Sequence, residues 1–184
     1  MNNEVKPDLV LIGGDLINLP DSDEAERLTS IIAEILKLLD MPFIAIRGNH
    51  DIEQKRFVKY FPFKQVYDMD FLRIVSFDDA ETPNYNATRC IGYLQIMRNL
   101  ANFNGVKFSF QHTPLTPENC CIYSYDNAKD VLNLMKEHNY RGALSGHCHN
   151  GIELFENNGL HFFVQNAICK KLSEHLSCLF RQTE

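Results

Sequence analysis

The sequence predicts a single domain of the α/β class. The chain has 184 residues, and roughly 150 residues per domain is usual for globular proteins. Its hydrophobic fraction of 45% and charged fraction of 23% are typical of a folded protein rather than a disordered one. Short apolar runs alternate with segments of helical periodicity, which favours strands that alternate with helices.

The first half of the chain has a β-α-β-α pattern. Asp21 and Glu24 resemble a capping box at the start of the first helix, and Pro42 ends that helix. The short apolar runs on either side of it each stop at a glycine, which is typical of a buried strand before a turn. The four predicted elements, in order, are a strand at 8–12, a helix at 22–39, a strand at 43–46 and a helix at 53–60.

The second half is less regular and ends in strands. The segment 78–87 is polar, contains Pro83 and two asparagines, and is predicted to be a loop. The apolar runs near the end of the chain are close together, so we expect antiparallel pairing there. The predicted strands are 65–68, 72–77, 106–110, 143–144, 152–155, 160–164 and 176–180, and the predicted helices lie around 91–101 and 127–139.

Charge and hydropathy exclude several classes of function. Eighteen Lys and Arg against 24 Asp and Glu leave a net charge of −6, and no basic run is present, so nucleic acid is an unfavourable partner. No apolar stretch approaches the roughly 18 residues of a membrane span. The first ten residues lack the basic and apolar regions of a signal peptide, so we expect a cytosolic protein without membrane association.

Four polar segments each follow a predicted strand, where open α/β sheets build their ligand sites. They are Gly14-Asp15, Gly48-Asn49-His50-Asp51, His112, and Gly146-His147-Cys148-His149. Each segment taken alone could be an ordinary turn or helix start. Four such segments in order are hard to obtain as independent turns, and their carboxylate, amide and imidazole groups suit Mn²⁺, Fe or Zn²⁺.

With these motifs the chain resembles the calcineurin-like metallophosphoesterases, a family that includes purple acid phosphatases, protein serine/threonine phosphatases and class III cyclic nucleotide phosphodiesterases. The family signature is Asp-x-His, Gly-Asp, Gly-Asn-His-Asp/Glu, a single His and Gly-His-x-His, and four of its five blocks occur here between Gly14 and His149. The resemblance implies a two-sheet α/β/β/α sandwich with helices outside. It also implies a hydrolase that uses a metal-activated water on a phosphoester.

The resemblance further implies roles for individual side chains. The metal ligands that it implies are Asp15, Asn49, His112, His147 and His149. Asp15 would bridge two ions. Asn49, His112 and His147 would bind one of them, and His149 would bind the other. His50 would donate a proton to the substrate or leaving group, with Asp51 as one candidate to orient it.

The first block of the signature, Asp-x-His, is absent from the sequence. The chain therefore resembles a family member without its first β-α unit, whether through truncation or genuine loss. One metal keeps four ligands, whereas the other keeps only Asp15 and His149, so we expect at most one tightly bound ion. An uncovered sheet edge would also favour homo-oligomers or aggregation.

Three functions remain compatible with these observations. The first is a metal-dependent phosphoesterase for a small phosphodiester or phosphomonoester, because the chain is compact and acidic. The second is a catalytically impaired relative that serves as a binding module, which the missing Asp-x-His favours. The third is a single-metal hydrolase of another bond.

Overall fold

The structure is a computed structural model that describes residues 2–3, 5–100, 102–116 and 121–168. The strand predicted at 176–180 lies outside these residues. The described strands are β1 Val10–Ile12, β2 Phe43–Ala45, β3 Val66–Met69, β4 Leu72–Ser76, β5 Ala80–Thr82, β6 Asn86–Thr88, β7 Val106–Phe110, β8 Tyr140–Ser145, β9 Ile152–Asn157 and β10 Leu160–Val164. The helices are α1 Ala25–Leu36, α2 Gln54–Tyr60, α3 Ile91–Asn99 and α4 Ala128–Glu137, and a 3-10 turn spans Pro83–Tyr85.

Two sheets form the centre of the fold. Strands β1 and β2 pair in parallel in one sheet. The other sheet has six strands in the order β3-β4-β7-β8-β10-β9. Its central pairings β4-β7, β7-β8 and β8-β10 are parallel, whereas β3-β4 and β9-β10 at its edges are antiparallel. The predicted antiparallel end is therefore present in β9 and β10.

The sheets pack face to face, and the helices cover their outer faces. Ile44 and Ile46, in and just after β2, share one apolar cluster with Ile74 of β4 and Phe110 of β7. Helices α1 and α2 pack on the other side of the small sheet, and α3 and α4 pack on the other side of the large sheet. Residues alternate between the faces of a strand, so neighbours such as Ile74 and Val75 belong to different clusters. The α/β/β/α sandwich is confirmed.

The segment predicted to be a polar loop at 78–87 is a short hairpin instead. Strands β5 and β6 pair antiparallel around the 3-10 turn, and Ala87 forms a bridge with Tyr125. The Ala87 amide also donates to the carbonyl of Ser124. Backbone pairing between segments distant in sequence therefore fixes this hairpin, and polar composition gave no sign of it.

The helices in the part of the chain that the structure describes are too short or too polar to cross a bilayer.

Candidate metal centre

Four of the five predicted metal ligands meet where the two sheets face each other. Asp15 and Asn49 follow β1 and β2 of the small sheet, and His112 and His147 follow β7 and β8 of the large sheet. Nε2 of His112 lies 3.0 Å from Oδ1 of Asn49, 3.0 Å from Nδ1 of His147 and 3.3 Å from Oδ2 of Asp15. Each sheet therefore contributes two groups to one centre.

The other ring nitrogens of the two histidines are bound to backbone carbonyls. Nδ1 of His112 lies 2.6 Å from the carbonyl oxygen of Gly13, and Nε2 of His147 lies 3.1 Å from that of Tyr85. A carbonyl can only accept, so each of these nitrogens carries the proton and donates it. In the neutral rings, Nε2 of His112 and Nδ1 of His147 then present lone pairs to the centre, as metal-binding histidines do.

Hydrogen-bond acceptors therefore cluster at the centre. Two imidazole lone pairs, an amide oxygen and a carboxylate oxygen face one another. A proton on Nε2 of His112 could form a hydrogen bond to only one of these acceptors at a time. Ligand atoms that share one ion at bond lengths of about 2.0–2.2 Å lie about 3 Å apart at adjacent corners of its coordination shell. The observed separations match this spacing, so the residues fit a divalent cation.

Among the described His, Cys, Asp and Glu residues, the group whose ligand atoms all lie within 4.8 Å of one another is Asp15, His112 and His147. The fifth predicted ligand, His149, is exposed and is not part of that group. Its role as a ligand to a second ion stays a prediction.

His50 lies at the edge of the same centre. Its backbone amide donates to Oδ1 of Asp15 over 2.9 Å. Nδ1 of its ring lies 3.0 Å from the carbonyl oxygen of Asn18 and therefore donates to it. This leaves Nε2 as the ring atom that can exchange a proton with a substrate.

Asp51 has a different place from the one that the sequence suggested. Its buried carboxylate accepts from the backbone amides of Asp15, Leu16 and Gly48 over 2.7–2.9 Å, and from Ile17 over 3.3 Å. The group that contacts the His50 ring is the carbonyl of Asn18, and Asp51 is occupied elsewhere. Asp51 joins the loop after β1 to the loop after β2 and so positions Asp15.

Two glycines allow these loops to approach each other. Gly14 has a φ of +92°, and a Cβ there would lie 2.8 Å from the Cα of Gly48. A Cβ on Gly48 would lie 2.5 Å from the Asp15 amide nitrogen and 2.7 Å from Cε1 of His112. Asp15 and His147 themselves have φ values of +57° and +62°, a strained region that is frequent at functional sites.

The electrostatics of the centre favour an anionic aspartate and a neutral histidine. Burial raises the pKa of Asp15, but the hydrogen bond and charge of His112 outweigh it and hold that pKa below its ordinary value. Burial and the adjacent charge of His112 lower the pKa of His147 to about 4. Burial also raises the pKa of Asp51, with the charge of Asp15 adding to it and the backbone amides opposing it. Asp15 and His147 in these charge states bind a cation without first losing a proton, whereas a protonated His112 would release one on binding.

A small cleft opens beside the centre and contains residues that sequence patterns did not indicate. Asn49 and His112 line it together with Arg47, Asp79, Glu81 and Tyr85. Tyr123 also lies nearby, with its ring centroid 4.0 Å from that of His147. Tyr85 is exposed and Tyr123 is partly buried. Tyrosines are common in loops, so only their position in the fold distinguishes these two.

Comparison with known proteins agrees with this geometry. The sequence model of a family described as calcineurin-like phosphoesterase matches residues 1–151. A protein of Xenorhabdus bovienii named as a probable cyclic nucleotide phosphodiesterase is 28% identical over 166 residues, which cover 81% of this chain. The match covers 64% of that relative, so the chain spans less than two thirds of its length.

Solved structures share the fold. A dimetal phosphatase from Danio rerio superimposes with a TM-score of 0.71 at 13% identity, over 87% of this chain and 72% of that one. A Plasmodium protein described as the anchor in the inner membrane complex superimposes with a TM-score of 0.55 at 11% identity, over 86% and 61%. At these identities the likeness concerns the fold alone.

Proposed function

Because the chain belongs to the calcineurin-like phosphoesterase family, we propose that it hydrolyses a small phosphodiester or phosphomonoester in the cytosol with the help of divalent metal ions. Asp15, Asn49, His112 and His147 would hold one ion, and His149 would contribute to a second. Mn²⁺ and Fe suit these ligands, and Zn²⁺ is also compatible with them. When bound, such ions supply positive charge to phosphate oxygens and lower the pKa of a water molecule.

The observation that carries this proposal is the position of His50 relative to the acceptor cluster. Its amide is fixed to Asp15 and its Nδ1 to Asn18, so the ring orientation is set before a substrate arrives. A protonated ring can then donate from Nε2 to a leaving oxygen, as a general acid within hydrogen-bond reach does. A protein that only bound a metal would gain nothing from an imidazole held in this way.

A small substrate is consistent with the composition of the chain. Its net charge of −6 and lack of a basic run disfavour nucleic acid as a substrate. The Xenorhabdus bovienii relative is named for cyclic nucleotides, which are small phosphodiesters of this size class. We therefore favour a small phosphodiester over a protein substrate.

A binding module is the alternative, and one observation favours it. The fold also occurs in the Plasmodium protein described as an anchor. Under this alternative the acceptor cluster would still bind metal, but bound phosphoesters would not be cleaved.

The experiment that separates the two is hydrolysis of bis(4-nitrophenyl) phosphate by the purified chain with and without Mn²⁺, paired with the variant His112→Asn. We expect Mn²⁺-dependent hydrolysis that the variant loses together with its metal. The matched control is His138→Asn, because His138 follows α4 at the opposite end of the strands. A chain that binds Mn²⁺ but releases no product would support the binding module and contradict the proposed enzyme.

A further inference from the structure

The hairpin of β5 and β6 carries an aromatic ring at the mouth of the cleft. Tyr85 lines this cleft with Asn49 and His112, and 55% of the Tyr85 surface is exposed. Its backbone carbonyl accepts from Nε2 of His147. The main chain of Tyr85 thus contacts a candidate metal ligand, while its ring has no part in that contact.

The ring of Tyr85 lies almost parallel to that of His50. The two planes are 17° apart and the centroids 6.5 Å apart. His50 is the group that would reach the leaving oxygen. A planar group attached near that oxygen would therefore meet an aromatic face in nearly the same orientation as the His50 ring.

The hairpin is anchored firmly enough to hold that face in place. Arg89, which follows β6, donates to Asp79, which precedes β5, from Nε over 3.0 Å and from Nη2 over 2.8 Å. Both side chains are buried, with exposures of 0% and 4%. The base of the hairpin is thus closed by a buried bidentate ion pair. Asn84 and Tyr85 at its tip have φ values of +66° and +61°, a conformation that persists only when the surroundings fix it.

We propose that the ring of Tyr85 is a stacking platform that selects phosphoesters of nucleosides over phosphoesters without a planar base. This inference rests on the proposed function and names its substrate class. Base stacking on an aromatic side chain tolerates any base because every base has a π face. The contribution falls on substrate binding rather than on the reacting atoms, so Tyr85 is a specificity residue and not a catalytic one.

The test compares Tyr85→Leu with Tyr85→Phe on two substrates. The substrates are adenosine 3′,5′-cyclic monophosphate and the same cyclic ribose phosphate with a methoxy group in place of the base. Leu keeps apolar volume but removes the ring, whereas Phe keeps the ring. Both residues carry a Cβ, so neither changes the strain of the positive φ at position 85. We expect Tyr85→Leu to raise KM for the nucleotide about 5- to 100-fold, the range for loss of one base stack. KM for the abasic substrate should stay near its original value in both variants.

The matched control is Phe71→Leu, another exposed aromatic residue. Phe71 contacts Val106 at the start of β7, whereas His112 follows the end of that strand, so it lies away from the centre. This variant should leave both KM values unchanged.

A binding measurement separates failure of this inference from failure of the proposed function. The chain contains no tryptophan, so the fluorescence of 1,N6-ethenoadenosine monophosphate can be followed without overlap. We expect the original chain and Tyr85→Phe to bind this nucleotide and quench its fluorescence with similar Kd values. Tyr85→Leu should bind it with a Kd that is about 5- to 100-fold higher. If neither these substrates nor bis(4-nitrophenyl) phosphate is hydrolysed, the proposed function is wrong, and this Kd comparison alone decides the role of Tyr85. Equal effects of Tyr85→Leu on both substrates, or an unchanged Kd, would overturn the stacking platform.

Discussion

His147 shows how a single side chain is prepared for a cation. Its Nε2 is held by a backbone carbonyl, its φ is positive, and burial lowers its pKa to about 4. A histidine in water is partly protonated at a pH near 6.5. The folded chain therefore keeps this lone pair available under conditions in which a free imidazole would begin to lose it.

The same shift predicts how stability depends on pH in the metal-free protein. The unfolded ring takes up a proton near pH 6.5, whereas the folded ring takes it up near pH 4. Protons then favour the unfolded state, so stability should fall as the pH drops from about 6.5 to 4. One pKa unit is about 1.4 kcal/mol, which limits the loss to about 3 kcal/mol. Urea unfolding at several pH values measures it. His147→Gln should flatten this dependence, and an unchanged slope would contradict the neutral, half-buried imidazole.

The role of His50 predicts a variant that keeps its metal but loses turnover. His50→Asn should lower kcat by about 10²- to 10⁴-fold, the usual contribution of a general acid. Metal content should stay the same, because the contacts of the His50 ring are with the Asn18 carbonyl and the Tyr85 ring rather than with a candidate ligand atom. Parallel measurement of kcat and of bound Mn²⁺ tests both. Loss of metal in this variant would make His50 a ligand instead. A substrate with a good leaving group, such as a nitrophenyl ester, should be affected less.

Sequence patterns indicated the candidate ligands but not the groups that orient them. Asp15, Asn49, His112 and His147 were predicted because their residue types suit metals and each follows a strand. The carbonyls of Gly13, Asn18 and Tyr85 fix the imidazoles, and a backbone carbonyl leaves no mark on residue type. The position of Asp51 was similarly hidden, since its partners are backbone amides from another loop.

At the level of elements, the loops after β1 and β2 fit together only because Gly48 lacks a side chain. Gly48→Ala would place a Cβ within 2.5 Å of the Asp15 amide and force the two loops apart. We expect destabilisation by about 1–3 kcal/mol, as for other overpacked sites, together with weaker Mn²⁺ binding. Thermal unfolding and a metal titration measure the two effects.

The control for this change is Gly92→Ala. Gly92 lies in α3, and a Cβ there would meet only Sγ of Cys90 at 3.8 Å. Alanine in a helix is favoured over glycine by about 0.5–1 kcal/mol, so this variant should be stable and bind metal normally. Similar behaviour of the two variants would show that the close approach at Gly48 has no special role.

Breaking the ion pair at the base of the β5-β6 hairpin should destabilise the protein more than Gly48→Ala does. Burial lowers the pKa of Arg89, but Asp79 outweighs it and keeps the guanidinium charged. Asp79→Asn would leave that buried charge without its partner and should cost about 3–5 kcal/mol. The bidentate pair of Arg73 with Asp68, whose carboxylate side chain is 49% exposed, is the matched control. Asp68→Asn should cost less than about 1 kcal/mol. Equal losses in urea unfolding would contradict the distinction.

The hairpin is also the element that sequence periodicity missed. Long helices such as α1 and α4 repeat apolar residues on one face and were found within a few residues of their ends. Strands β5 and β6 have three residues each, which is too short for an alternating pattern to emerge from polar residues. Their pairing depends on the ion pair of Arg89 with Asp79 at the base of the hairpin. It also depends on the segment around Tyr125, which is distant in sequence.

For the whole molecule, the ligand positions predict one tightly held ion per chain. Four groups converge on one position, whereas His149 is exposed and outside that group. Equilibrium dialysis against Mn²⁺ followed by elemental analysis should give one tightly bound ion, lost in His147→Asn and kept in His149→Asn. Two tight ions would reveal a ligand that these residues do not account for.

Different parts of the layered architecture were predictable from different features of the sequence. The β-α-β-α beginning followed from apolar periodicity, and the α/β/β/α arrangement came from the resemblance carried by the metal motifs. Periodicity alone could not assign β1 and β2 to one sheet and β4 and β7 to another. That division depends on which apolar faces meet, as Ile44 and Ile74 do, and no local pattern records it.

The distribution of ligands between the two sheets makes a bound ion a cross-link of the tertiary structure. Asp15 and Asn49 belong to one layer and His112 and His147 to the other. Gly13 and the His112 ring that it contacts are 99 positions apart in the sequence. The layers could not separate until the ion had left. Bound metal should therefore slow amide hydrogen exchange even in strands far from the loops. This protection should increase with the free metal concentration. The candidate metal centre would then also set the order in which parts of the protein unfold.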